Sequence, residues 1–344
     1  MNLGQAKAIR QRAANWPGLA GGQEALACWR RLKACWRTAL CCLLGLTAVA
    51  AAVALQPGRG IAVVYPDIGE PYRSVFAKII EGIEEQTRSR VPGFAVGANP
   101  NLQEISSELR RQDIRVVIAL GRNGLKLTAG LDRDIGVVAG GVLSIPEAEA
   151  RNISVHSLAP DPALLFSRLL AFMPGAKRVF VVYDPKQNAW LLRLAKEAAH
   201  ARGLELVAYE ASDLKAALRL YQDIFAGADP RTDALWLPQD STTVDEASVL
   251  PLVLQETWTR NLAFFSSSVA HVRRGALFSL YPDNVEIGRH LANSALGYLS
   301  SNGQGPRGVL PLKAVLLAVN VRTAGHLGLH LAGKQSFDLV FPEQ

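Results

Sequence analysis

The chain has 344 residues, about half of them apolar, with a formal charge of +7; that is enough for two medium domains with cores of their own. Within residues 1–37 seven basic residues face Glu24 alone, so +6 of the +7 sits in this head and the rest of the chain is close to neutral, which argues against a nucleic-acid-binding body. The four cysteines, Cys28, Cys35, Cys41 and Cys42, all precede residue 56, so the body has no disulfide framework, thiolate nucleophile or cysteine-ligated metal.

Residues 1–37 form a basic head with weak helical periodicity. Residues 38–55 (TALCCLLGLTAVAAAVAL) carry no charge and match the length of a short membrane-spanning helix. Arg30, Arg31, Lys33 and Arg37 precede this run and resist translocation, so the head is expected in the cytoplasm and the body outside it. Ala52-Val53-Ala54 also has the small-residue character of a cleavage site. A retained transmembrane anchor and a cleaved signal peptide both remain open.

Beyond Arg59 short apolar runs alternate with stretches of helical spacing. Strands are expected at 61–65, 94–97, 116–120, 135–139 and 153–155, with helices at 75–86, 102–112 and 124–129. The loop Ser157–Pro162, with two prolines, reads as a junction. The pattern then restarts, with strands at 178–183, 205–209, 234–237, 262–266, 276–280 and 315–319. Helices are expected at 188–202, 214–226, 245–260 and 284–300. Such alternation implies two consecutive α/β units with parallel strands. In open sheets of this kind ligands bind beyond the carboxyl ends of the strands, so two facing units make a cleft walled by those loops.

The strand-end loops supply the candidate ligand-binding residues. The first gives Asp67, which can accept from a ligand amine or cap the next helix, and Tyr72, which can cover a ligand. The loop after 116–120 gives Gly121 and Asn123 around Arg122, where glycine allows close backbone approach. The second unit gives Asn188, then Asp240, suited to an ammonium or hydroxyl group or to a helix cap, and the hydroxyl of Ser266. Tyr281 follows the strand at 276–280. The six histidines form no metal pattern, and no cofactor is expected. No GxSxG elbow or HExxH motif is present, and no enzyme activity is expected.

The body resembles the ABC-transporter substrate-binding proteins, whose best-understood members bind amino acids. The resemblance is carried, from about residue 60 to 332, by Val117-Ile118-Ala119-Leu120-Gly121, Val181-Val182-Tyr183-Asp184-Pro185 with Asn188, Ala234-Leu235-Trp236-Leu237-Pro238 with Asp240, Tyr281-Pro282-Asp283 with Gly288, and Val319-Asn320. It implies an α/β, type I periplasmic binding fold: two Rossmann-like lobes with a hinge and three crossovers, preceded here by one hydrophobic helix. Lobe one would comprise 59–157 plus 283–312, and lobe two 158–282 plus 313–344. It also implies that Asp67, Gly121, Asn123, Asn188, Asp240, Ser266 and Tyr281 lie at or near the cleft. The first loop, Asp67 to Tyr72, and Ser144-Ile145-Pro146 depart from the family's pattern.

The implied function is capture of a small polar ligand, with amino acids among the candidates, by hinge closure in the periplasm. Attachment to the inner membrane, or export, would run through residues 38–55. An ABC permease and ATPase would be separate chains, and no nucleic acid is expected as a partner. The rival reading is a membrane-anchored ligand sensor or envelope scaffold without transport.

Overall fold

The computed structural model describes residues 60–143, 145, 147–301, 305–329, 331 and 336–343. The basic head and the hydrophobic run at 38–55 lie outside the described residues, and with them the expected N-terminal helix. Among the described residues no helix is long and apolar enough to cross a membrane.

The first half of the body builds a sheet from β1 (Ile61–Pro66), β2 (Gly93–Val96), β3 (Val116–Leu120), β4 (Gly136–Val142) and β5 (Ser154–Pro160). Between them run α1 (Tyr72–Thr87), α2 (Leu102–Arg111), α3 (Gly121–Thr128) and the short α4 (Glu147–Ala150). The second half begins with α5 (Pro162–Phe172) and continues through β6 (Arg178–Tyr183), α6 (Pro185–His200), β7 (Glu205–Glu210), α7 (Leu214–Gly227) and β8 (Asp233–Leu237). It goes on through α8 (Val249–Arg260), β9 (Ala263–Ser266), α9 (Val269–Arg274) and β10 (Phe278–Pro282). Then come α10 (Asn284–Ser300), β11 (Gly308–Leu312), β12 (Val315–Asn320), α11 (Val321–His326) and β13 (Leu339–Phe341).

These strands form two sheets. One has the order β11-β5-β4-β3-β1-β2, the other β13-β12-β10-β9-β8-β6-β7. Every pairing is parallel except β10 with β12. The chain passes between the sheets after β5, after β10 and again between β11 and β12. Central strands such as β3 and β8 are buried along their whole length, as parallel strands covered on both faces must be.

The stretch that joins the two halves differs from the sequence expectation. Ser157 to Pro160, read as a junction loop, continue β5; Ser157 is buried, and its hydroxyl donates to the Leu143 carbonyl and accepts from Ala159 N–H at 3.0 Å. The turn begins one residue later, where Asp161 caps α5 through Ala163 N–H at 2.8 Å and Pro162 occupies the first helical turn. Helix α5, which the alternation did not separate out, buries Phe166 edge-on against Trp236, with ring centroids 5.8 Å apart. Trp236 and Phe265 stack at 6.5 Å, and Phe265 and Phe278 at 5.0 Å. Each such pair adds about 0.5–1.5 kcal/mol beyond its area, so this aromatic column anchors the core of the second sheet.

Helix α10, although it follows a strand of the second sheet, packs with α1 over the first. Ile79 and Ile83 of α1 join Ile287, Leu291 and Ala295 of α10 over Ile61, Val63 and Ile118. The two helices touch backbone to backbone at Gly82 and Gly288. A Cβ on Gly82 would lie 1.9 Å from the Val285 carbonyl oxygen, and one on Gly288 2.0 Å from that of Ile79.

Candidate functional site

The strand tips of the second sheet are tied into one rigid wall. Where β6 ends, Asp184 caps α6 by accepting from Lys186 N–H at 2.9 Å, and Pro185 follows at the first helical position. Burial pushes the Asp184 carboxyl up, but hydrogen bonds from Lys186 N–H, Thr242 and Gln187 outweigh it and hold the group below the usual range. Where β8 ends, Asp240 turns inward, only 5% exposed. Its Oδ2 accepts from Asp184 N–H at 2.7 Å and Asn188 Nδ2 at 2.8 Å. Its Oδ1 accepts from the N–H groups of Thr242 and Thr243, each at 3.0 Å. Thr242 Oγ1 donates to Asp184 Oδ2 at 2.9 Å and accepts from Gln187 Nε2 at 2.8 Å. The carboxylate of Asp240 thus joins the β6 and β8 loops and has its acceptor positions filled by protein donors.

A second chain of contacts supports the β9 tip. Ser266 is fully buried, and its hydroxyl lies 3.2 Å from the Leu237 carbonyl and 2.7 Å from His271 Nδ1. His271 Nε2 lies 2.8 Å from Glu246 Oε1, and Arg274 holds the other oxygen of Glu246 at 2.9 Å. The buried serine hydroxyl also accepts from Ser268 N–H at 3.1 Å, so it braces the loop.

On the first sheet the tips are tighter. Gly121 has φ +67°, and a Cβ there would come within 3.0 Å of Pro66 Cγ and 3.4 Å of the Phe76 ring. Only glycine meets both demands. Gly124 lets α3 settle on β1, since its Cβ would sit 2.8 Å from the Val64 carbonyl oxygen. Arg122, between them, is exposed and forms no ion pair among the described residues.

A cavity of about 410 Å³ lies between these two sets of tips. Arg122, Leu143 and Ala159 face it from the first sheet's elements, and Gln187, Asn188, Gln239, Asp240, Glu246 and His271 from the second's. The volume falls in the range of small-molecule pockets. Gln239 is its distinctive wall residue. The Nε2 group donates to the Ser267 carbonyl at 2.8 Å, while Oε1 is buried and has no hydrogen-bond partner. A buried acceptor left open costs about 1–3 kcal/mol unless something donates to it.

Of the residues singled out from sequence, Asn188 and Asp240 line this cavity. Gly121 and Asn123 flank Arg122, which lines it, but are not themselves among its walls. Ser266 stands behind the wall through His271. Asp67 is exposed at the end of β1, and Tyr72 is 62% exposed at the start of α1. Tyr281, on β10, is half-buried; burial and the nearby Asp338 and Asp283 push its hydroxyl up. None of these last three lines the cavity. Sequence reasoning gave no role to Gln239, Glu246 or His271; Gln239 at least was marked by its place directly after a buried strand. No group of His, Cys, Asp or Glu side chains among the described residues could hold a metal ion.

A family profile described as ABC transporter substrate binding protein matches residues 81–332. No curated protein matches the chain. Among solved structures, the ligand-free, open form of CD0873, a substrate-binding protein with adhesive properties from Clostridium difficile, is 16% identical. It aligns over 83% of this chain and 100% of its own, with a TM-score of 0.58. An ABC domain in complex with L-Trp from Streptococcus pneumonia is 15% identical over 82% of this chain and 99% of its own, with a TM-score of 0.49. Two parallel-stranded sheets with three chain crossings, matched to that profile over most of the body, identify the chain as a member of the ABC transporter substrate-binding protein family with the two-lobed type I periplasmic binding fold.

Proposed function

We propose that the cavity between the strand tips captures a small polar solute and that the protein is the extracytoplasmic binding component of an ABC transporter. The single observation that carries this reading is a cavity of about 410 Å³ walled from both sheets, by Arg122 on one side and by Gln187, Asn188, Gln239 and Asp240 on the other. A ligand N–H or O–H meets the polar second-sheet wall, and Arg122, without an ion pair among the described residues, faces an anionic or acceptor group. Amino acids carry both features and head the list of candidates, with small hydroxy acids behind them. Lobe one comprises 60–160 plus 283–312 and lobe two 161–282 plus 313–343, since β5 carries the first sheet to Pro160, and the ligand favours the arrangement in which both touch it. A separate permease and ATPase then respond to the closed form, and no bond of the ligand is broken. Residues 38–55 hold the body at the outer face of the inner membrane or export it to the periplasm.

The test is a thermal-shift screen of the full-length chain against amino acids, hydroxy acids and nucleosides. A ligand at 100 times its dissociation constant stabilises by about 2.7 kcal/mol. For a hit, Gln239→Leu is expected to weaken binding about tenfold; because it also removes the bond from Nε2 to the Ser267 carbonyl, a thermal melt verifies that the variant folds. A screen with no stabilising compound, or a hit indifferent to Gln239→Leu, overturns the reading.

A further inference from the structure

A second cavity, of about 560 Å³, lies wholly within the elements of the second sheet, on α8, α9 and α11. Its floor is apolar, with Leu254, Leu262, Phe264 and Leu327, and its rim carries Arg273, Arg274 and Arg322. No Asp or Glu among the described residues lines it. Arg274 is engaged by Glu246 at 2.9 Å, and Arg273 reaches Glu343 at 3.5 Å where both are well exposed. Arg322 is exposed and pairs with no carboxylate among the described residues; its guanidinium lies 5.5 Å from the centre of the Trp258 ring.

Trp258 is the other unusual group. It is 41% exposed, and His326 stacks on it with ring centroids 3.6 Å apart and planes within 5°. The His326 ring is pinned there by a contact of 2.9 Å between Nε2 and the Trp258 carbonyl. A half-exposed indole at the mouth of an apolar hollow, with a guanidinium over its ring that pairs with no carboxylate among the described residues, offers aromatic contact and charge together. We propose that this cavity is a second ligand site, distinct from the cleft, for a planar organic anion. The ring system of the ligand covers the apolar floor beside Trp258 and its carboxylate, or another oxyanion, pairs with Arg322. The inference does not depend on what the cleft binds.

The probe is 2-naphthoate, titrated calorimetrically into the full-length protein, with uncharged 2-naphthamide as its control. Saturable binding of the naphthoate is expected, with the amide at least tenfold weaker, since a charge-assisted hydrogen bond is the stronger kind. Arg322→Gln and Trp258→Ala each weaken naphthoate by about tenfold, whereas Gln239→Leu in the cleft leaves it unchanged. Thermal melts verify that the variants fold; if Trp258→Ala does not, Arg322→Gln decides alone. No saturable binding, equal affinity for the amide, insensitivity to Arg322→Gln, or loss on Gln239→Leu overturns the proposal.

Discussion

Replacing Asp240 by alanine tests whether the loops of the second sheet are built before any ligand arrives. The carboxylate takes four hydrogen bonds, from Asp184 N–H, Asn188 Nδ2, Thr242 N–H and Thr243 N–H, at 2.7–3.0 Å. In the alanine variant all four donors lose their acceptor at once, at a site almost closed to water. A buried donor left unpaired costs about 1–3 kcal/mol, but water entering the vacated space and relaxation of the more exposed Thr242 reduce the sum to about 4 kcal/mol. At roughly 2–4 °C per kcal/mol for a body of this size, the melting temperature falls by about 10 °C. The assay is differential scanning calorimetry of the wild-type and variant chains without ligand. A variant melting within about 2 °C of wild type would refute the argument that Asp240 is a brace. If that same variant had lost all solute binding, the carboxylate would instead be a direct ligand contact, as the sequence had suggested.

Burial of the His156 ring, with His290 nearby, pushes its pKa down from 6.5 to about 4. The unfolded chain therefore binds the extra proton first, and stability drops as pH falls from 6.5 towards 4, by up to about 3 kcal/mol. Melting curves across that range should show His156→Asn losing less stability than wild type; parallel profiles would refute the assignment. Gly288→Ala drives a methyl group into the Ile79 carbonyl across the α1–α10 contact. Separating the helices costs about 1–3 kcal/mol or more, read as a lowered melting temperature, and an unchanged melt would contradict the packing described. For any solute found to bind the cleft, Arg122→Gln is expected to speed dissociation by about tenfold and alter association little; the reverse pattern in stopped-flow traces would count against a closing role for Arg122.

The fold was legible where burial dictates composition. Strands β3 and β8 are covered on both faces, so VVIAL and the ALWL that follows the ion-paired Asp233 read as uninterrupted apolar runs. Of the edge strands, β2 and β7 were read at 94–97 and 205–209, but β11 and β13 were not legible. Strand β11 contains Pro311, which removes a ladder donor, and β13 is three residues long, so pairing alone defines both. Helix α5 announced itself with Asp161-Pro162, a cap and a first-turn proline, but the preceding Pro160 made the whole stretch resemble a loop. The site divides in the same way. Topology tells which loops meet, so Asn188 and Asp240 could be picked out as strand-end residues. Two of the bonds that occupy Asp240 come from residues 52 and 56 positions away, and no local pattern reports them; the other two, from Thr242 and Thr243 N–H, are the local cap that the sequence allowed. The open acceptor of Gln239 is a property of three-dimensional neighbours, because its Nε2 partner is the Ser267 carbonyl on a different strand end.

The two walls of the cavity differ in construction, and the difference gives capture a direction. The wall from the second sheet is cross-linked: Asp240 joins two loops, Thr242 and Gln187 stitch the same pair, and His271 links the β9 tip to Glu246. Its polar groups are held in position before binding, so little side-chain entropy remains to be lost there. The wall from the first sheet presents an exposed Arg122, without an ion pair among the described residues, beside Leu143 and Ala159. On the capture reading, a solute gains its first hydrogen bonds from the organised wall and meets Arg122 only when the walls approach. Ligand contacts on the first-sheet wall exist only in the closed form, so they supply the differential affinity that closure requires, whereas contacts on the organised wall are shared by both forms.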